Sequence, residues 1–191
     1  MARIQPLAQD ELSAEQLNAC REVQAGPRGK VPTPMTAWLR NAELARRGQK
    51  LGELLRFDTE LDAALTEIAI LTCARYWTSH HEWTAHKKLA LQAGVSSGVI
   101  ADIAAGRQPN FDDEKQEMVH KLSATVLKKG KLSQPLYDEG MAMFGERCLV
   151  ELTAILGYYC LVSLTLNVFE LGLPENVAAE LNDTVSDQEA P

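Results

Sequence analysis

The chain has 191 residues, 46% of them hydrophobic and 24% charged, with only 12 glycines and 8 prolines, which excludes a disordered or fibrous protein and leaves enough chain to bury a real core. Its net charge of -7 excludes a protein whose main work is to neutralise phosphates, so nucleic acid is not an expected partner.

The N-terminal stretch "MARIQPLAQDELSAEQ" carries neither the apolar run nor the small-residue cleavage site of a secretory signal, and a reducing cytoplasmic location is expected. Ser13 followed by Gln16 forms a capping box, with Leu12 placed as a staple residue, so a first helix is predicted to run to about Gln24. "GPRGKVPTP" (26–34) breaks it. Met35, Trp38 and Leu39 open a second helical pattern, which restarts near Asn41 and continues through Leu44, Leu51, Leu54 and Leu55.

After "RFDTEL" comes the most apolar early segment, 61–77, with Leu65, Ile68, Ala69 and Thr72 at helical spacing and Ile70, Leu71 and Cys73 broadening the face. It is predicted to be a core helix. Glu67 sits in the middle of that apolar run, where an unpartnered carboxylate would be costly, so it needs a partner. Trp77, Thr78 and Ser79 break the pattern, and a new helix is predicted from His80 to Gln92. Gly94 and Ser96 then close that helix and open a short one that ends before Gly106.

"GRQPNFDDE" (106–114) reads as a polar linker between two helical halves. Met118, Val119, Leu122, Val126 and Leu127 mark the next amphipathic helix, and Leu136–Phe144 a shorter one closed by Gly145. From Glu146 to Glu170 a buried helix is predicted, containing eighteen uncharged residues from Leu152 to Phe169. A helix apolar on all sides needs cover on all sides, and in a chain this small other subunits are expected to supply part of it. The stretch passes a crude membrane filter, but Gly157, Tyr158, Tyr159, Ser163, Thr165 and Asn167 interrupt it and no Lys or Arg cluster flanks it, so no membrane association is expected. Nothing alternates with period two, and the expected class is all-α, one helical domain over 1–174 with a soft division near 106–114, followed by a polar, loosely held tail over 175–191.

Chemistry concentrates in "SHHEWTAH" (79–86), which holds three of the four histidines. Residues 79, 82 and 86 are spaced by three and four, so they stack on one helix face while His81 projects elsewhere. A glutamate one turn before a histidine can accept its ring N–H and raise the basicity of the other nitrogen, a sound acid/base pair near neutral pH. The plainer alternative is that Ser79 and Glu82 only cap the helix and that Glu82 with His86 is a surface pair worth ~0.2–0.5 kcal/mol. A zincin-type helix needs histidines four apart, whereas His81 and His86 are five apart, so no metal site is expected. Glu67 and His86 are nineteen residues apart, ~28 Å on a straight helix. A fold-back at 77–79 instead brings position 67 within about a turn of His86, so the break decides whether a site can exist. Cys20, Cys73, Cys148 and Cys160 show no Cys-x-x-Cys spacing and read as small buried hydrophobes.

"LTEIAILTCARYWTSHHEWTAHKKLALQAGVSSGVIADIAAGR" (65–107) and "VELTAILGYYCLVSLTLNVFE" (150–170) resemble the carboxymuconolactone decarboxylase family, whose relatives include alkylhydroperoxidase D, and the likeness runs from about Leu12 to Leu171. The resemblance implies an alkylhydroperoxidase D-like all-α fold, a helical hairpin that carries the site, and a homo-oligomer, trimer or hexamer, built through the apolar helices. In the peroxidase branch the motif is a glutamate, a Cys-x-x-Cys enclosing a histidine, and a final histidine. Glu67, His81 and His86 match the non-cysteine positions, but the cysteine positions are Ser79 and Glu82. A hydroxyl and a carboxylate cannot cycle through a disulfide, and Cys73 has no partner at motif spacing, so the likeness is to the cysteine-free branch.

That branch implies a small lactone acid such as γ-carboxymuconolactone, an intermediate of aromatic catabolism, as substrate. Loss of CO2 leaves electrons conjugated to the lactone carbonyl, so no cofactor is expected. His86 is assigned the oxyanion or proton-donor role, Glu82 its orientation or carbon reprotonation, and Glu67 a relay or structural role. Ser79, His81, Arg75 and Arg56 are assigned to substrate binding. Two alternatives stay open: a proton-transfer isomerase or lactone hydrolase using the same residues, and a non-catalytic oligomeric subunit or small-ligand binder.

Overall fold

The computed structural model describes residues 2–173 and 176–182, and among them there are helices and no strands, as the all-α expectation requires. After a 3-10 turn at Gln9–Glu11 come α1 (Ala14–Ala25), α2 (Met35–Trp38), α3 (Ala42–Phe57), α4 (Ala63–Tyr76), α5 (His80–Gln92), α6 (Ser97–Ala104), α7 (Glu114–Lys129) and α8 (Gln134–Val168). The starts follow local chemistry. Ser13 and Gln16 satisfy each other's backbone N–H groups in a capping box before α1. The side chains of Asn41, Asp62 and Ser96 accept backbone N–H groups at the openings of α3, α4 and α6.

α4 is the central element. Every residue from Leu65 to Arg75 is buried, and α5, α6, α7 and α8 all pack on it, as an all-round apolar helix demands. The predicted linker over 106–114 joins α6 to α7, and both lie on α4, so the two helical halves share one hydrophobic cluster.

The predicted closure at Gly145 holds, since its backbone is non-helical (φ 77°, ψ 173°) and splits α8 in two, and beyond it the chain covers one side of the helix; two other expectations, on α3 and on the tail, are corrected. Leu152, Ile155, Leu156, Tyr159, Val162 and Leu166 face inward, while Val150, Leu161, Leu164 and Val168 are 64, 41, 40 and 53% exposed. α8 is long and apolar enough to cross a membrane by length and composition, with half of its most apolar window buried in the chain. On α3, Leu55 is buried, whereas Leu44, Leu51 and Leu54 point outward, because the face that meets the core carries Ala45, Gln49 and Gly52 and the leucine stripe touches it only at Leu55. The tail is not loose over 176–182: Leu181 is buried, Glu180 pairs with Lys87 of α5, and the Asn182 carbonyl accepts a bond from Arg75 at 3.4 Å. Positions 175 and 183–191 of the predicted tail lie outside the described residues.

Candidate active site

The site exists because the chain turns back between α4 and α5. Thr78 N–H bonds the Arg75 carbonyl at 3.0 Å and Ser79 N–H bonds the Ala74 carbonyl at 2.8 Å, the two bonds of a Schellman closure. This closure places the residue between them in the left-handed region, and that residue is Thr78, with φ 47°. A β-branched residue is strained there, and its neighbours hold it. Arg75 Nη1 reaches Thr78 Oγ1 at 3.3 Å, and Asn167 of α8 donates to the Trp77 carbonyl at 2.7 Å.

The fold-back aligns α5 against α4 and brings Glu67 to His86. His86 Nδ1 lies 2.6 Å from Glu67 Oε2, and its Nε2 lies 2.9 Å from Glu82 Oε1. The three side chains are 9, 5 and 8% exposed in the order Glu67, His86, Glu82. Carboxylate oxygens accept, so an imidazole between two of them is best satisfied when both nitrogens carry protons. Burial alone pulls the imidazolium pKa down, but the Glu82 charge and the bonds from both acids outweigh it, and His86 is raised from 6.5 to about 9. Burial pushes Glu82 up, yet the adjacent imidazolium wins and holds it below the ordinary carboxylate value. At neutral pH the arrangement is an acid–imidazolium–acid chain, suited to donating a proton or countering a developing negative charge.

The capping alternative for Ser79 and Glu82 does not hold. Ser79 makes no side-chain cap bond; its Oγ is buried and has no hydrogen-bond partner among the described residues, while Glu82 turns to His86. Ser79 instead sits behind the wall of a cleft of about 300 Å³ that His80, His81, Leu166, Asn167, Glu170 and Gly172 also line, its hydroxyl closed off from solvent. His81 lies on another face than the triad, as its spacing required, with Nδ1 3.2 Å from the Gly172 carbonyl, and its charge still helps keep Glu82 ionised.

The two arginines separate. Arg75 reaches the turn at Thr78 and the Asn182 carbonyl at 3.3 and 3.4 Å, and its buried Nε has no hydrogen-bond partner among the described residues. Arg56 stacks 5.1 Å over the Phe57 ring, and its charge helps hold Glu82 down and acts on Tyr158 and Tyr159. Sequence reasoning missed Arg28, whose charge also acts on both tyrosines; it lies in the "GPRGKVPTP" break and had no periodic signal. Gly52 admits it: a Cβ there would stand 2.1 Å from Tyr158 Oη and 2.9 Å from Arg28 Nη2. Tyr159 sets its ring edge-on to His86 with centroids 5.1 Å apart. Burial drives the Tyr159 phenol well above its ordinary pKa and Tyr158 up to about 12, so both are neutral hydroxyls here.

The larger cleft, about 380 Å³, lies on another side of α5 between Trp83, Lys87, Ile100 and Glu180. Neither cleft is lined by Glu67, Glu82 or His86. The chain matches no protein-family model and no curated protein.

Proposed function

We propose that this protein is a cofactor-independent acid/base carboxy-lyase of the carboxymuconolactone decarboxylase kind, acting on a small lactone acid or keto acid of aromatic catabolism as a cytoplasmic homo-oligomer. The observation that carries the reading is the buried His86 held between Glu67 and Glu82. Substrate approaches from the cleft at the start of α5, lined by His81, the neighbour of Glu82, and by Ser79, one turn before it, whose buried, unpartnered hydroxyl becomes available only when the cleft opens inward. Arg56 and Arg28 supply a positive field over Tyr158 and Tyr159 that favours an anionic acid at the triad.

In the reaction the bond to the departing carboxylate breaks and its electron pair moves through the double bond onto the lactone oxygen. Glu82 swings off His86 Nε2, freeing that N–H to stabilise the oxyanion. Glu82 then returns to Nε2, takes that proton and delivers it to the substrate carbon, and solvent restores a proton to the imidazole. Glu67 keeps its bond to Nδ1 throughout and holds the ring in place. The exposed stripe on α8 and the outward leucines of α3 support assembly through apolar helices, as a trimer or hexamer.

The test is CO2 release from γ-carboxymuconolactone and related lactone and β-keto acids. Because His86→Ala would strand two buried acids, His86→Gln is the better variant; it is expected to lose turnover at least 100-fold with the oligomer intact. Turnover without CO2 assigns proton-transfer isomerisation or lactone hydrolysis instead. The closure of the triad from both clefts favours a second reading, a non-catalytic subunit or small-ligand binder in which the three residues only clamp α4 to α5. In that case no acid of the panel is consumed and His86→Gln changes stability alone.

A further inference from the structure

Cys73, which has no partner at motif spacing, has one across the fold. Its Sγ lies 3.7 Å from Cys160 Sγ, joining the middle of the core bundle at α4 to α8, 87 residues away along the chain. All four cysteines are free thiols. We propose that Cys73 and Cys160 form a redox-active dithiol that a hydroperoxide oxidises to a disulfide, a site distinct from the acid–imidazole chain and independent of the lyase reading.

The two sulfurs are not equivalent, and their surroundings assign the roles. Cys73 is fully buried and Cys160 is partly exposed, so only Cys160 can meet a reagent from outside. The Trp77 indole N–H points at Cys160 Sγ from 3.2 Å, a donor that stabilises a thiolate. The hydrogen bond from Cys73, followed by the one from Trp77, holds the Cys160 thiol below its ordinary pKa, while the same shared proton and burial push Cys73 far up. Cys160 is therefore the attacking sulfur and Cys73 the resolving one. Trp77 belongs to the fold-back between α4 and α5, so the turn that builds the acid–imidazole site also supplies the donor for the thiol pair.

The chemistry balances without a further reagent. The Cys160 thiolate attacks one peroxide oxygen; the S–O bond forms, the O–O bond breaks, and the leaving alkoxide takes a proton from solvent. Cys160 is oxidised by two electrons to the sulfenic acid and the hydroperoxide is reduced to an alcohol, or to water for hydrogen peroxide. Cys73 sulfur then attacks Cys160 sulfur; the S–S bond forms, the S–O bond breaks, and the departing hydroxide leaves as water with the Cys73 proton. The sulfurs close from 3.7 Å to the ~2.05 Å of a disulfide. A dithiol reductant reverses the bond by exchange.

The full chain, treated with one equivalent of hydrogen peroxide and then denatured, is expected to lose two of its four titratable thiols and two hydrogens of mass, with peptide mapping joining 73 to 160. Dithiothreitol restores both thiols. Cys20→Ser with Cys148→Ser keeps this behaviour, Cys160→Ser abolishes it, and Cys73→Ala leaves a Cys160 sulfenic acid that dimedone traps. Trp77→Phe slows oxidation several-fold while the same pair still forms. Four intact thiols after treatment, a disulfide mapped to any other pair, or disulfide formation that survives Cys160→Ser each overturns the proposal.

Discussion

The imidazole of His86 ties the stability of this fold to pH. Its pKa in the fold, about 9, lies above the unfolded 6.5, so its contribution is full below about pH 6.5 and fades as pH rises through 9. Glu82 is shifted the other way, and its contribution is present above its unfolded 4.5 and lost as pH falls through its depressed value. The fully formed pair therefore contributes most between about pH 5 and 6.5, on the order of 3 kcal/mol for the imidazole shift. Melting of the wild type and His86→Gln, followed from pH 5 to 10.5, is expected to show a gap that narrows through pH 9; a gap that stays constant to the alkaline end would mean a neutral ring. At this scale much was legible. The charge of Glu67 in an apolar run called for a partner, and His86 was the one within reach of a fold-back. Ser79 was ambiguous because its type and position fit a cap as well as a site, and only coordinates show its hydroxyl making no cap bond. Arg28 was not legible, since it arrives through a loop whose path periodicity does not describe.

Among the elements, the α4–α5 turn decides everything, and its conformation is carried by an unsuitable residue. Thr78 in the left-handed region costs ~1–2 kcal/mol, and glycine gives back part of the relief as chain entropy. Thr78→Gly is expected to raise stability by about 0.5–1 kcal/mol in denaturant melts, with the 3.3 Å bond from Arg75 too long to reverse the sign. A loss above 1 kcal/mol would show that the hydroxyl, not the backbone, holds the turn. α3 makes the complementary case. Its Gly52 lies in a helix, where alanine is normally favoured, yet a Cβ would press against Tyr158 Oη. Gly52→Ala is expected to destabilise by about 1–3 kcal/mol despite the gain in propensity, and to displace Tyr158 and Arg28 from the site; a stabilised variant would mean that Tyr158 has room to move. The break at 77–79 was readable because three poor helix interior residues follow one another, but the close approach at Gly52 joins residues 106 positions apart and leaves no local trace.

For the molecule as a whole, the unresolved demand is the outer side of α8. Val150, Ala154, Gly157, Leu161, Leu164 and Val168 recur at alternating steps of four and three, the seam of a helix that packs on another helix. Among the described residues this seam faces outward except at the half-buried Ala154, and Gly157 in its middle meets none of their atoms within 4 Å of where a Cβ would stand. Hydropathy alone could not separate this from a helix buried on all sides, because the inner and outer faces of α8 are equally apolar. Gly157→Ala sets two effects against each other. Inside a single chain the methyl meets nothing and improves helix propensity by about 1 kcal/mol, so the variant should be more stable at every protein concentration. In the proposed oligomer, with α8 seams in contact, the same methyl stands where two backbones approach and should weaken assembly. The expected outcome is a mass by light scattering that falls toward the single chain at concentrations where the wild type stays assembled, and a melting temperature that depends more steeply on concentration. A uniformly stabilised variant with unchanged mass would remove α8 from the subunit contact and leave the outward leucines of α3 as the surface for assembly.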